Sequence, residues 1–299
     1  MITASKLTKT FEEYTALDAF DTQIPEGSIY GLVGSNGSGK STLLRLISGI
    51  LRPDSGVIQI EGESPFENVH VKRKVFHVAD DLYFLPQTSM DEMAGFYRSL
   101  YLGFDQEVYE FMCSRFPIDP KKRISTFSKG MKRQVSLILA LSCQPKVLLL
   151  DEAFDGLDPV IRGALRKILA DQIAERAMTV IIASHNLREL EDLCDFLGLL
   201  HKGRVVFERE IDEVKLGFCK VQAGFSRQLD SQELADMDIM QMDQVGSVLN
   251  MVVRGNSGAI LNRLNAMNPL FAETVPLTLE EVFIHEMEAV GYDYNKIIF

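Results

Sequence analysis

The stretch Gly34-Ser35-Asn36-Gly37-Ser38-Gly39-Lys40-Ser41-Thr42 fits the pattern G-x-x-x-x-G-K-[ST]. A strand-like run at 28–33 leads into it. Residues 41–50 follow with Leu43, Leu44, Leu46 and Ile47 at helical spacing. Strand, glycine-rich loop and helix are the context this motif requires. Glycines let the backbone curl so that successive N–H groups face phosphate, and the helix offers its positive end to the same charge. In that setting Lys40 reaches the β- and γ-phosphates and the Ser41 hydroxyl ligates Mg²⁺. A chance glycine-rich turn is the bland alternative, and the flanking strand and helix weigh against it.

Further along, four apolar residues at 147–150 run into Asp151-Glu152. A continuously apolar strand is buried in a parallel sheet, so the acidic pair emerges at its carboxyl end, where α/β folds place ligands. Asp151 then holds Mg²⁺ through water, and Glu152 takes a proton from an attacking water. Alone, such a pair could simply cap the next helix; beside a phosphate loop that reading loses weight.

Strands alternate with helices from about 128 to 200, which argues for a parallel sheet covered on both faces. Strand-like pieces at 4–10 and 16–24 precede the loop, and 57–60 resumes as a strand after the breaker LRPDSG. Residues of about 85–127 are rich in aromatics and helix formers and read as a helical insertion. After His201-Lys202-Gly203-Arg204 the composition shifts. The remainder reads as a strand at 219–225, a hairpin at 239–253, a helix at 257–268, another strand and a helix at 278–287. This gives one domain at 1–210 and a small α+β accessory domain at 211–299.

The 299 residues carry 31 basic and 42 acidic side chains, a formal charge of −11. That balance argues against a broad phosphate-backbone surface, so no nucleic-acid partner is expected. The four cysteines, Cys113, Cys143, Cys194 and Cys219, lack C-x-x-C spacing and read as small buried hydrophobes. No secretory leader and no run of about 18 apolar residues is seen. The chain is expected to be soluble by itself, with any membrane role supplied by a partner.

Three further motifs complete a family likeness. Phe127-Ser128-Lys129-Gly130-Met131 resembles the L-S-G-G-Q signature of ABC ATPases, Gly156-Leu157-Asp158 their D-loop, and Ser184-His185 their switch histidine. With the phosphate loop and the acidic pair, five motifs stand in the family's order over residues 1 to about 210. The resemblance implies a P-loop NTPase (RecA-like) ABC ATPase core with an antiparallel β subdomain and a helical insertion. It also implies an ATP- and Mg²⁺-dependent ATPase that pairs head to tail with a second nucleotide-binding domain, a homodimer being favoured. Ser128 and the Gly130 backbone would complete the ATP held by the opposite copy, with Asp158 beside them. His185 would contact the γ-phosphate and position Glu152, and Phe11 would stack on adenine, with Tyr14 as a rival. The partner implied is a separate integral-membrane permease, which places the chain on the cytoplasmic face of the cell membrane. LEEVFIHE at 279–286 is loosely similar to the tail of bacterial exporter ATPases, which favours export of a peptide or antimicrobial.

The sequence departs from the family where it usually carries a glutamine before the insertion: Asp80 stands there, a candidate Mg²⁺ contact through water. Lys129 and Met131 replace the signature's first glycine and its glutamine. Two other classes compete with a transporter ATPase. Ribosome- or DNA-acting relatives would need a second ATPase half or long coiled coils, and neither is present. A slow nucleotide sensor would not need the base that Glu152 offers.

Overall fold

The computed structural model describes residues 1–282 except 192, 228 and 230. The chain divides into two compact units, Met1–Glu208 and a second beginning at Arg209. In the first unit, β1 (Ile2–Phe11) and β2 (Tyr14–Ile24) form an antiparallel hairpin, followed by β3 (Ile29–Val33) and α1 (Lys40–Ile47). Next come β4 (Ser55–Ile60), α2 (Val69–Lys72), β5 (Val75–Val78), α3 (Met90–Leu100), α4 (Gln106–Arg115) and α5 (Lys129–Ser142). The unit is completed by β6 (Val147–Asp151), α6 (Pro159–Arg176), β7 (Thr179–Ser184), α7 (Leu187–Glu191), β8 (Phe196–His201) and β9 (Arg204–Glu210), whose last residues pass the boundary.

Two sheets result. A three-stranded antiparallel sheet has the order β2-β1-β4, and a six-stranded sheet the order β5-β6-β7-β3-β8-β9. The pairs β5–β6, β6–β7, β7–β3 and β3–β8 are parallel. Every residue of β3, β6 and β7 is buried, as strands covered on both faces must be. The segment 75–78, which the sequence reading leaves as an unassigned stretch, is the strand that closes one edge of this sheet.

One core joins the two sheets through α1. Leu43, Leu44, Leu46 and Ile47 of that helix are fully buried among Leu17 and Phe20 of β2, Ile58 of β4 and Leu149 of β6. An isolated eight-residue helix is marginal in water. Each buried aliphatic side chain contributes about 1.5–3 kcal/mol, so packing rather than propensity sets this helix. The core thereby fixes the phosphate loop, whose last glycine caps α1.

In the insertion, α3 begins with a capping box in which Ser89 accepts from the Glu92 amide and Glu92 accepts from the Ser89 amide. Its large apolar side chains, together with Tyr83 just before it, divide between packing and exposure. Tyr97 and Tyr101 pack on Phe76 of β5, with ring centroids 5.3 and 5.2 Å away, whereas Tyr83, Phe96 and Leu102 are exposed.

The second unit contains α8 (Ile211–Leu216), β10 (Phe218–Gly224), β11 (Asp238–Val245), β12 (Val248–Arg254), α9 (Ser257–Asn265) and β13 (Phe271–Val275). Its sheet is antiparallel in the order β11-β12-β10-β13. Val221, Met251 and Val253 on one face pack against Ile260 and Leu264 of α9. The second half of the helix expected at 278–287, and of the 279–286 likeness, lies outside the described residues. No helix among the described residues is long and apolar enough to cross a membrane. Cys143, Cys194 and Cys219 are buried and Cys113 half-buried, all free.

Candidate functional site

The loop of residues 34–39 rises from the carboxyl end of β3 and enters α1 through Gly39, whose φ is 113°. A side chain there would be strained by that φ and would drive a Cβ to 2.4 Å from the Ala16 carbonyl. The loop is also held from outside: the Gly203 amide, in the turn between β8 and β9, donates to the Ser38 carbonyl at 2.9 Å. Lys40 is buried and folds back over the loop, donating from Nζ to the carbonyls of Gly34 (2.6 Å) and Ser35 (3.2 Å). Burial lowers its pKa, opposed by the charges of Glu152 and Asp151. The Ser38 hydroxyl is buried in the same loop without a hydrogen-bond partner among the described residues, and Thr42 lies in the first turn of α1.

Asp151 ends β6, fully within the sheet. Burial raises its pKa, a hydrogen bond with the Ser41 side chain lowers it, and the neighbouring Glu152 and Asp80 charges raise it further. Its Oδ1 is buried and has no hydrogen-bond partner among the described residues. Two hard oxygen groups thus stand together at the foot of α1, one of them unsatisfied.

Glu152 turns the chain out of the sheet. Its φ is 49°, in the left-handed region, and its amide donates to the Ala183 carbonyl of β7 at 2.9 Å. Oε1 stands 4.0 Å from Lys40 Nζ, and Oε2 3.0 Å from Nδ1 of His185, the residue after β7. A non-glycine residue held in that region costs on the order of 1–2 kcal/mol. Here it aims a carboxylate at the space between the loop lysine and the histidine. The three side chains, 145 residues apart in the chain, converge because β3, β6 and β7 are adjacent.

The signature and D-loop segments meet each other in the same chain. Ser128 caps α5, its Oγ accepting from the Met131 amide at 3.3 Å, which leaves its own proton free to donate. A Cβ on Gly130 would lie 2.9 Å from the Gly156 carbonyl, so this close approach needs a glycine. Asp158 accepts from the Val160 and Ile161 amides, both at 3.0 Å, and so caps α6 with Pro159 in its first turn. Lys129 is exposed and pairs with Asp155 at 3.2 Å.

Asp80 does not stand free at the metal-side oxygens. Its Oδ1 accepts from Nη2 of Arg133 at 2.7 Å. Arg133 is completely buried in α5, with Asp155 3.8 Å away as a second anion. Sequence reasoning found Asp80 but not Arg133, whose only signal was a cation two residues past the signature. At the β1–β2 turn, Phe11 and Tyr14 face each other across the hairpin and both are exposed. The Tyr14 hydroxyl donates to the Gly37 carbonyl of the loop, which ties the rival aromatic to the loop directly.

Residues 17–155 match the family described as ABC transporter. The chain is 30% identical over 284 residues to the ABC transporter ATP-binding protein YtrB of Bacillus subtilis, covering 95% of this chain and 97% of that protein. It is 32% identical over 231 residues to the bacitracin transport ATP-binding protein BcrA of Bacillus licheniformis, covering 72% of this chain and 71% of that one. A solved structure described as the ATP binding subunit of an ABC transporter superposes with a TM-score of 0.66 at 26% identity, over 72% of this chain and 92% of its own. A relative aligned along nearly its whole length leaves one assignment: this chain belongs to the ABC transporter family, as an ATP-binding subunit.

Proposed function

We propose that the chain is a Mg²⁺-dependent ATPase in which Glu152 is the general base and His185 holds it in place. The observation that carries this reading is the strained backbone of Glu152, with its carboxylate between Lys40 and His185. Residues 34–42 wrap the phosphates with backbone amides, and Lys40 exchanges its two carbonyl partners for phosphate oxygens. The unpartnered Asp151 Oδ1 and the Ser41 hydroxyl suit a small hard cation. Among the described residues no cluster of three or more His, Cys, Asp or Glu forms a complete cage, in keeping with an ion that shares its sites with phosphate and water. Bound magnesium would neutralise charge on the β- and γ-phosphate oxygens. Glu152 takes the proton of the attacking water, the new P–O bond forms on the γ-phosphorus, and ADP leaves.

A second copy supplies Ser128 and the Gly130 backbone to that γ-phosphate. The free hydroxyl proton of Ser128 and the amino end of the 14-residue helix α5 suit that role. All site segments are present in one chain, which favours a homodimer. The exposed Phe96 and Leu102 of the insertion, with Tyr83 just before it, suit docking to a permease on the cytoplasmic face of the membrane. The likeness to a bacitracin transport protein supports export of a peptide or antimicrobial.

The test is the full-length Glu152→Gln variant on a sizing column with ATP and Mg²⁺. A dimer that forms only with nucleotide, together with abolished hydrolysis, is expected. Hydrolysis at the wild-type rate would remove Glu152 from the mechanism. A monomer that still binds ATP would reject self-pairing in favour of a different partner ATPase.

A further inference from the structure

Between the D-loop and the switch histidine lies a pair of side chains that none of the roles above uses. Arg162, on the first turn of α6, donates from Nε to the Leu157 carbonyl at 3.1 Å. Its Nη1 stands 3.3 Å from Oε1 of Glu189, on α7. The other oxygen of Glu189, Oε2, accepts from the Ser184 hydroxyl at 3.2 Å. Ser184 Oγ in turn accepts from the Asn186 amide at 3.0 Å. His185 is thus bracketed by residues tied to Glu189, and Glu189 is tied through one guanidinium to the backbone of the D-loop. The Glu189 carboxylate is largely buried, at 9% exposure, which makes its pairing with Arg162 stronger and less screened than a surface contact. Ser184 is buried as well.

The path has an outer end and an inner end. At the outer end Gly156, one residue before Leu157, touches Gly130 of the signature segment, the part that faces the nucleotide of a second copy. At the inner end His185 meets the Glu152 carboxylate.

We infer that Arg162 and Glu189 form a strut that transmits the placement of the D-loop to His185, making both of them positioning residues for hydrolysis. The inference rests on the reading of Glu152 and His185 given above. A guanidinium suits the task because its planar fork holds two acceptors in fixed relation, which a lysine cannot do. A shift of the D-loop carbonyl moves the fork, the fork moves Glu189, and Glu189 rotates the Ser184-His185-Asn186 turn. Double variants measure the coupling of the strut to His185 directly.

Steady-state ATPase and amide hydrogen exchange are measured on the full chain carrying Arg162→Met, Glu189→Ala, Glu189→Gln, His185→Ala and the double variants. Arg162→Met and Glu189→Ala should each lower kcat about 10-fold, with the KM for ATP changed by less than about 3-fold, because a misplaced histidine costs rate rather than binding. Glu189→Gln, which keeps the shape and an acceptor, should recover most of the loss. In the His185→Ala background neither Arg162→Met nor Glu189→Ala should reduce kcat further. In Arg162→Met the amides of residues 184–187 should exchange faster, although Arg162 does not touch them, while the buried strands stay protected. Full additivity with His185→Ala, or unchanged exchange at 184–187, would overturn the strut. If wild type hydrolyses no faster than Lys40→Ala, the hydrolytic reading has failed instead, and the exchange data still decide whether the strut exists.

Discussion

The imidazole Nδ1 of His185 stands 3.0 Å from Oε2 of Glu152, although 33 residues separate them in the chain. The contact fixes the direction of a carboxylate that the backbone has already turned out of the sheet. His185→Ala should therefore lower kcat by about 10²-fold, the usual scale for losing an orienting acid–base partner, with a smaller change in KM. A coupled ATPase assay over a range of ATP concentrations separates the two. A rise in KM that accounts for the whole loss would assign His185 to binding alone.

Gly39 combines a φ of 113° with a Cβ position 2.4 Å from the Ala16 carbonyl. Gly39→Ala should displace the loop and weaken binding of a fluorescent ATP analogue by more than about 10-fold, equivalent to at least 1.4 kcal/mol. Gly62 is the matched control: its φ is 82° but none of the described residues lies within 4 Å of its Cβ position. Gly62→Ala should cost stability slightly and leave nucleotide affinity unchanged.

Asp80→Asn should keep ATP binding, since the loop and Lys40 are untouched. It removes a full charge from the buried Arg133, and Asp155 at 3.8 Å compensates only in part. Because Asp80 itself is more than half exposed, the loss is moderate, about 1 kcal/mol, or a fall in Tm of about 2–4 °C. Calorimetry with and without nucleotide checks both halves. Loss of affinity on the scale of Lys40→Ala would instead place Asp80 in the nucleotide site.

Much of this site was legible because its parts are local. The glycine loop, the Asp151-Glu152 pair and the apolar runs before them are contiguous, and each carries its own reason to be where it is. The partners were not legible. Arg133 lies 53 residues from Asp80, and Arg162 lies 27 residues before Glu189. Such pairings are set by which strands become neighbours, and no short-range pattern records that. Strand β5 was missed for a related reason, since four residues give too little periodicity to distinguish an edge strand from a loop. The choice between Phe11 and Tyr14 likewise depends on how the hairpin curls toward Gly37.

His77, on β5, has its pKa lowered to about 4, first by burial and second by the positive charge of Arg45. Its ordinary value is 6.5. Between these two values the unfolded chain binds a proton that the folded chain refuses, so stability is full above pH 6.5 and falls as the pH drops toward 4. Urea unfolding at pH 7.5 and pH 5 should show a loss for wild type that is smaller for His77→Gln. Equal losses in the two proteins would show that other groups govern the acid side.

The left-handed backbone of Glu152 bears on what such a chain can become. That conformation is one that glycine adopts without cost and asparagine with little, and glutamate is an unfavourable occupant. A descendant released from the need to split ATP would gain stability by exchanging it for glycine, so drift at this codon runs toward a tighter fold and a silent engine. Retention of glutamate is therefore informative in a way that retention of a core leucine is not, because packing does not ask for it. The same reasoning offers engineers a direct route: Glu152→Gly should yield a more heat-resistant subunit that still grips its nucleotide and no longer turns over.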